Sequence, residues 1–304
     1  MTLFLQTLVD AISLGSLYAL IALSIGLLFG ILRLINFAHG DFITLGAYAL
    51  LLPSASTVAV VFIGGWPLVP LIFSVCLIVV AVAVLCDRIV FKHLRLASPP
   101  TLLIASFALS YVIQNLILIV YGARSVSVDL WSSLTRAVDI GGMRVPLLQL
   151  VLVAATIVLL IGLVLFLQKT RFGIQMRAAS EDFAMARYLG VKADFVIGLA
   201  FAISGILAAA VSLLVVAQAG VVSPTMGASL LIFGFISTVI GGMGSLSGSV
   251  VGGLVVGIAS SFMQAYLPPD VRTFRDAFVF GFVIIFLLIR PSGIVKVKAL
   301  EERI

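Results

Sequence analysis

Four polar side chains stand close together near the start of an otherwise apolar sequence: Arg33, Asn36, His39 and Asp41. Asp41 can cap a following helix, because a carboxylate accepts backbone N–H bonds at a helix start, and Arg33 suits the end of a preceding helix. Asn36 is typical of a turn. The cluster therefore predicts either a capped connection between two apolar helices or a broken helix that lines a gate or pathway. In the second interpretation Asn36, His39 and Asp41 are the pathway or gate residues.

The same residue types do not form an enzymatic or metal-binding motif. The two histidines, His39 and His93, are far apart, and neither belongs to an HExxH zinc motif. Paired-Asp motifs for prenyl or glycosyl transfer are also missing from the sequence. Ion-coupled carriers need ionisable residues inside their spans, but here Gln114 and Asn115 are neutral and Asp10 lies near the end of its run. We therefore predict no catalytic residue, metal or bound cofactor, and expect any concentrative transport to draw its energy from elsewhere.

The composition indicates a membrane protein. Of the 304 residues, 62% are hydrophobic and 10% are charged, and the mean hydropathy is +1.32, whereas a soluble domain carries roughly 25% charged residues. The net charge of +6 comes from Lys and Arg at the ends of apolar runs, which is a membrane pattern and not a nucleic-acid-binding one. Cys76 and Cys86 share one apolar run, about 15 Å apart along a helix, which is too far for a disulfide.

Apolar runs organise the chain, and backbone hydrogen bonding in lipid requires the spans to be helical. A full span needs about 20 residues, so the runs at 34–52 and 248–267 are marginal. Those at 228–242 and 276–290 are short enough to be broken, tilted or re-entrant. The sequence predicts an all-α polytopic membrane protein with about eight or nine transmembrane helices, some short or broken. The runs are 9–32, 34–52, 66–86, 102–122, 147–168, 195–217, 228–242, 248–267 and 276–290.

Lys and Arg indicate the orientation, because most of them lie in 87–100, in 169–194 and in the tail that begins at Arg290. The positive-inside rule places these segments in the cytoplasm. Nine spans then leave the N-terminus outside and the C-terminus inside, with 123–145 as the longest external stretch. No linker composition interrupts the chain, so we predict a single transmembrane domain over 1–304.

Glycines near residue 240 predict a helix break followed by close helix packing. Glycines four residues apart let helix backbones approach closely. No lysine follows in P-loop spacing, which argues against a nucleotide-phosphate loop. The pattern of helix, break and helix over 231–256 also occurs over 24–48, which predicts an internal inverted repeat. The packing candidates are Gly241, Gly242, Gly244, Gly248, Gly252, Gly253 and Gly257.

The charged segment 169–194 separates two long apolar runs and reads as a short amphipathic helix over 174–189. Arg177 and Glu181 are four residues apart and can pair on one face, and Gly190 suits the residue after a helix end. The segment predicts either a solvated stretch along the lipid headgroups or a docking helix for a soluble partner. Its apolar positions are Ile174, Met176, Phe183, Met185 and Leu189.

Three stretches carry a family resemblance: INFAHGDFITLGAY (35–48), RAASEDFAMARYLGV (177–191) and GGMGSLSGSVVGGLVVGI (241–258). In this order and spacing the chain resembles the first of the two homologous permease subunits of the bacterial high-affinity branched-chain amino acid ABC importer. The resemblance extends from GSLYALIAL (15–23) to RPSGI (290–294). It implies a multi-pass permease of the bacterial inner membrane that performs no covalent chemistry.

The resemblance also implies partners. These are a second homologous permease, two cytoplasmic ATPases that bind ATP and Mg, and a periplasmic substrate-binding protein. Segment 169–194 would be the coupling loop that docks on an ATPase, in a single permease domain over 1–304. Permeases for urea and short amides share much of the pattern, so the chain could belong to a related importer with a different substrate. The alternative from a different class of protein is an ion-coupled secondary carrier. The implied coupling residues are Arg177, Glu181, Asp182, Phe183, Met185, Leu189 and Gly190.

Overall fold

The computed structural model describes residues 2–32, 35–54, 60–95, 97–131, 134, 136–140, 143–181 and 183–295. Contacts divide the chain into two compact units. Unit 1 comprises Met1–Gly26, Trp131–Gly162 and Ile232–Ile304, and unit 2 comprises Leu27–Leu130 and Leu163–Leu231. The single domain over 1–304 stays a prediction.

The chain is an all-α polytopic membrane protein, as predicted. Six helices of the described ranges are long and apolar enough to cross a membrane. They are α1 (Thr2–Leu32), α3 (Leu68–Cys86), α5 (Pro99–Tyr121), α6 (Leu147–Lys169), α9 (Ala193–Ala219) and α11 (Leu246–Tyr266). The span of α3 continues through a π-helical turn (Asp87–Phe91) into α4 (Lys92–Leu94). Between α6 and α9 lie α7 (Arg171–Glu181) and α8 (Phe183–Tyr188).

Three further apolar runs form shorter helices, α2 (His39–Tyr48), α10 (Met226–Gly241) and α12 (Arg275–Ile289). At about 1.5 Å per residue they are roughly 15–24 Å long, less than the ~30 Å hydrocarbon core. The short runs predicted at 228–242 and 276–290 are therefore confirmed. The run 34–52 is helical over ten residues only, because a turn precedes α2 and strand β1 (Leu51–Leu52) follows it.

Small antiparallel ribbons join some of the helices. Strand β1 pairs with β2 (Val60–Val61), β3 (Val126–Ser127) pairs with β6 (Val221–Val222), and β4 (Ala137–Ile140) pairs with β5 (Met143–Pro146). The hydropathy pattern did not predict these strands, since pairs such as β3 and β6 are distant in sequence. The β4–β5 ribbon overlaps the stretch predicted to be external, 123–145.

In unit 1, α11 packs one face on α1 through glycines. A Cβ atom added to Gly253 would lie under 3.0 Å from the backbone of Ala19, and one added to Gly257 would lie under 3.0 Å from the backbone of Gly15. Real Cβ atoms essentially never approach backbone so closely. The two helix backbones therefore touch, and a larger side chain at either glycine would force them apart.

A second face of α11 packs on α10. A Cβ atom at Gly252 would lie under 3.0 Å from the carbonyl oxygen of Ser237, and one at Gly248 would meet the carbonyl oxygen of Gly241 equally closely. The glycines of α11 thus contact two different helices, α1 through Gly253 and Gly257 and α10 through Gly248 and Gly252. This places α11 between α1 and α10 within unit 1.

A glycine break separates α10 from α11. Gly242 has a φ angle of +107° and Gly244 one of +91°, a region that L side chains rarely adopt. Ser245 then caps α11, because its Oγ accepts a hydrogen bond from the Gly248 N–H at 3.0 Å. The break lets the short helix α10 and the spanning helix α11 follow each other with their backbones in contact.

In unit 2, α2 is the central helix. All of its residues except Leu45 are buried, and it packs against α3, α5 and α9. A Cβ atom at Gly46 would lie 2.7 Å from Oγ of Ser212 on α9. Unit 2 therefore surrounds the cluster at the start of α2 with three spanning helices.

Candidate functional site

Asn36 forms the turn that begins α2. Its Oδ1 accepts a hydrogen bond from the Ala38 N–H at 3.1 Å, and its carbonyl oxygen accepts one from the His39 N–H at 3.2 Å. Our sequence interpretation assigned the cap to Asp41. The structure shows that Asn36 stabilises the turn, while Asp41 lies in the first helical turn and bonds to α5. Arg33 lies outside the described residues.

His39 connects α2 to α9. Its side chain is fully buried, and its Nδ1 lies 3.1 Å from Oγ of Ser204. The ring meets Phe42 edge-on, with 6.1 Å between ring centroids. A serine hydroxyl can donate to or accept from the imidazole nitrogen. The pair is therefore a buried hydrogen-bonded link between two helices.

Asp41 connects α2 to α5. Its side chain is buried, and Nε2 of Gln114 donates to its Oδ1 at 2.9 Å. The same Nε2 lies 3.2 Å from Oγ of Ser110, one turn earlier on α5. Charge-assisted hydrogen bonds of this kind are the stronger ones. A carboxylate and an amide from separate helices thus form the second polar link around α2.

Each of the three cluster residues also carries a buried atom without a partner among the described residues. These atoms are Nδ2 of Asn36, Nε2 of His39 and Oδ2 of Asp41. Buried polar groups are normally hydrogen-bonded, and an unsatisfied one is costly. All three lie within six residues of one another, and the pathway or gate interpretation of these residues stays a prediction.

Thr44 fixes the start of α10 on α2. Its Oγ1 accepts a hydrogen bond from the Gly227 N–H at 3.1 Å and donates one to the Gly40 carbonyl oxygen at 3.4 Å. A Cβ atom at Gly227 would lie under 3.0 Å from that same oxygen. The short helices α2 and α10 therefore meet backbone to backbone in unit 2.

The partners of this cluster were not predicted from the sequence. Gln114 stood out only as a neutral residue, and neither Ser204 nor Thr44 was selected. Polar side chains inside apolar runs are the signal that could have found them. That signal shows which residues need partners, but it does not show which helix provides the partner.

The predicted docking segment has two faces. The inner face is buried and includes Met176, Ala179 and Ala186. Gly173 allows α7 to lie directly on the end of α6, since a Cβ atom there would be under 3.0 Å from the backbone of Leu167. The outer face combines exposed apolar and basic side chains: Phe172, Ile174, Arg177, Met185, Tyr188 and Leu189.

Both ends of this segment have defined backbone geometry. Oγ1 of Thr170 accepts a hydrogen bond from the Gly173 N–H at 3.0 Å, which caps α7. At the other end Gly190 has a φ angle of +88°, and the Val191 N–H bonds to the Ala186 carbonyl at 3.0 Å. This six-to-one bond over a left-handed residue is a Schellman end. The segment therefore has two structured ends and is not a flexible loop.

Some of the predicted coupling residues cannot be placed. Asp182 lies outside the described residues, and so do the side chains of Glu181 and Phe183. The predicted pairing of Arg177 with Glu181 and the acidic contacts to a partner therefore stay predictions. Arg177 itself is exposed.

Comparison with known proteins assigns the family. Residues 7–288 match the family described as branched-chain amino acid transport system / permease component. The chain belongs to this family and, with six helices among its described residues able to span a membrane, is a multi-pass transport permease of the inner membrane. No solved structure gives a significant match.

Individual relatives match over nearly the whole chain. The high-affinity branched-chain amino acid transport system permease protein LivH of Escherichia coli K12 is 32% identical, over 98% of this chain and 97% of LivH. BraD of Pseudomonas aeruginosa, which carries the same description, is 30% identical over 98% of both chains. A probable branched-chain amino acid transport permease protein LivH of Methanocaldococcus jannaschii is 30% identical over 94% of this chain and 91% of its own length.

Proposed function

We propose that the chain is the membrane permease subunit of an ATP-binding cassette importer for branched-chain amino acids. The substrate follows from the descriptions of LivH and BraD, which match over nearly the full length. Its partners are a second homologous permease, two cytoplasmic ATPases and a periplasmic binding protein that delivers the amino acid. ATP and Mg²⁺ bind on the ATPases, and this chain itself binds no cofactor.

The observation that carries this proposal is the two-faced segment of α7 and α8. A permease driven by separate ATPases needs a rigid element that receives their motion. This segment is capped at Thr170, ends at Gly190 and is seated on the end of α6 by Gly173. Its outer face presents exposed apolar side chains that can fill a groove on a partner, as short amphipathic helices generally do. Exposed Arg177 can set the orientation of docking.

Within the membrane we propose that α2 forms part of the gate. A ten-residue helix cannot span the bilayer, so at least one of its ends lies at membrane depth, where irregular backbone is tolerated only inside protein or beside a water-filled cavity. Its polar links to α5 and α9 are single hydrogen bonds, worth about 0.5–3 kcal/mol each. A tilt of either span can exchange them without unfolding the unit, and alternating access requires such a change.

Reconstitution tests the proposal. The chain is purified with its sister permease and the two ATPases, placed in proteoliposomes and supplied with the binding protein. We expect uptake of leucine, isoleucine or valine that depends on ATP and on the binding protein. Uptake of urea or acetamide in preference would assign the chain to the related amide permeases. Uptake by the chain alone under an ion gradient would instead identify a secondary carrier and overturn the proposal.

A further inference from the structure

A charge cluster in unit 2 joins the end of the α3 span to the start of α9. Arg95, which follows α4, donates from its Nη2 to both carboxylate oxygens of Asp87, at 3.1 and 3.2 Å. Its Nη1 pairs with the carboxylate of Asp194 in the first turn of α9. Lys92 also approaches Asp194, at 3.7 Å. One guanidinium therefore holds two carboxylates that belong to different helices.

The two halves of this cluster differ in their surroundings. The side chain of Asp87 is 3% exposed, whereas that of Asp194 is 67% exposed. A buried carboxylate that loses its partner is strongly unfavourable, while an exposed ion pair contributes little and is easily broken. The Asp87–Arg95 pair is therefore costly to break, and the Arg95–Asp194 pair, whose carboxylate is exposed, is the part that can open. An open cleft of about 610 Å³ beside the cluster gives Asp194 room to move away.

The cluster also lies next to the proposed coupling segment. Phe172 on α7 packs on Phe195 on α9, with ring centroids 5.1 Å apart, and Phe195 directly follows Asp194. On the other side, Phe91 of the π-helical turn packs on Phe201 of α9 at 5.3 Å. Single π-helical turns inside α-helices are frequent at functional sites. A continuous chain of contacts thus runs from α7 through the start of α9 and Arg95 to α3.

We infer that Arg95 is a positioning residue that couples movement of the α7–α8 segment to α3, and that the Arg95–Asp194 pair is the latch that opens during transport. This inference rests on the proposed function, because it requires ATPases that move the segment. With the latch closed, α3 and the start of α9 move together. With it open, α9 can follow the segment while Asp87 stays paired with Arg95.

Two variants that each remove one exposed carboxylate test the latch in the assembled transporter. Asp194→Asn removes the pairs with Arg95 and Lys92 and leaves Asp87–Arg95 intact. Asp276→Asn is the matched control, because exposed Asp276 pairs only with its neighbour Arg275, at 2.7 Å, among the contacts described. We expect both variants to retain their ATPases. Asp194→Asn should lower the amino acid transported per ATP hydrolysed by about two- to fivefold, the shift that one exposed ion pair makes in an equilibrium, while Asp276→Asn should not.

A cross-link tests whether the latch must open. Lys92→Cys and Asp194→Cys are combined with Cys76→Ser and Cys86→Ser, and a short bifunctional thiol reagent then joins the two introduced cysteines. We expect the cross-link to stop transport while the ATPases stay bound, and the reagent should leave each single-cysteine variant with the transport that it shows without the reagent. Normal transport by the cross-linked protein, or equal behaviour of Asp194→Asn and Asp276→Asn, would overturn the latch alone. Failure of the unmodified chain to bind ATPases would overturn the proposed function and with it the latch.

Discussion

At the scale of single residues, the hydrogen bond between Asp41 and Gln114 provides a test between the two interpretations of the cluster at the start of α2, a gate or a simple connection between helices. A hydrogen bond to a charged group contributes about 1.5–3 kcal/mol, so its loss alters the balance between conformations by roughly tenfold or more. We expect Asp41→Ala to lower transport about tenfold while lowering the amount of folded permease far less. Uptake in proteoliposomes, divided by the amount of permease, is the measurement.

Asn115 provides the control for this variant. It neighbours Gln114 on α5, but its Nδ2 donates to the Tyr111 carbonyl of its own helix at 2.7 Å. Asn115→Ala should therefore transport normally. If the loss of transport in Asp41→Ala simply follows the loss of folded protein, Asp41 is structural only.

The sequence predicted which residues of this cluster are unusual but not how they pair. Asn36, His39 and Asp41 were selected because polar residues are rare in apolar runs. Gln114 lies 73 residues from Asp41, and Ser204 lies 165 residues from His39. No periodicity connects positions so far apart, and several polar residues compete for each role. Only the packing of α5 and α9 on α2 selects the partners.

At the scale of helices, the glycines of α11 make a steric prediction. Gly252→Leu would drive a side chain into the carbonyl of Ser237, and overpacking typically costs about 1–3 kcal/mol or more. We expect a clearly lower melting temperature in detergent. Val256→Leu adds a single methylene at a buried position and should be milder.

Gly162→Leu is the matched control for the same change. A Cβ atom at Gly162 has nothing within 4 Å, and the position is exposed on α6. Its stability should stay close to that of the unmodified chain. Equal destabilisation by Gly252→Leu and Gly162→Leu would show that helix contact at Gly252 is not the cause.

The docking segment makes a second prediction at this scale. Gly190→Val places a β-branched residue at a left-handed position, at a cost of about 1–2 kcal/mol, and should misdirect the end of α8. We expect this variant, and the double change Glu181→Lys with Asp182→Lys, to stay in the membrane with the sister permease but to lose the ATPases. Co-purification and substrate-stimulated ATP hydrolysis are the measurements.

Gly122 is a suitable control for the strain itself. It has a φ angle of +83° with no atom within 4 Å of an added Cβ, and it follows α5 on the side predicted to be external. Gly122 also has a ψ angle of 173°, a conformation that is essentially restricted to glycine, so Gly122→Val should impose at least as much strain and still keep the ATPases. If Gly190→Val and the double variant Glu181→Lys, Asp182→Lys both keep their ATPases, the segment is not part of the coupling path.

At the scale of the whole molecule, the orientation in the membrane is open to direct measurement. The positive-inside rule places the α7–α8 segment in the cytoplasm and the β3 region outside. With both native cysteines replaced by serine, we expect a membrane-impermeant thiol reagent to label Ser127→Cys in intact cells. Tyr188→Cys should be labelled only after permeabilisation. The opposite pattern would invert the topology.

Much of the architecture was predictable at this scale, and the reasons are physical. Lipid excludes unpaired backbone, so apolar runs had to become helices, and their lengths distinguished the long helices from short ones such as α10 and α12. The glycine break before α11 followed from residue type alone. The β3–β6 ribbon and the Arg95 cluster were not predictable, because both depend on which helix ends lie side by side.

The burial of α2 also has a consequence for how the protein is made. The hydroxyl partner of His39 is Ser204, 165 residues later in the chain. At 5–20 residues per second, the ribosome reaches Ser204 roughly 8–33 s after His39. During that interval α2 leaves the ribosome before α5 and α9 can enclose it. Biogenesis of this protein therefore includes a period in which the polar side chains at the start of α2 must be kept from the lipid, by the insertion machinery or by the bilayer surface, until α9 is inserted.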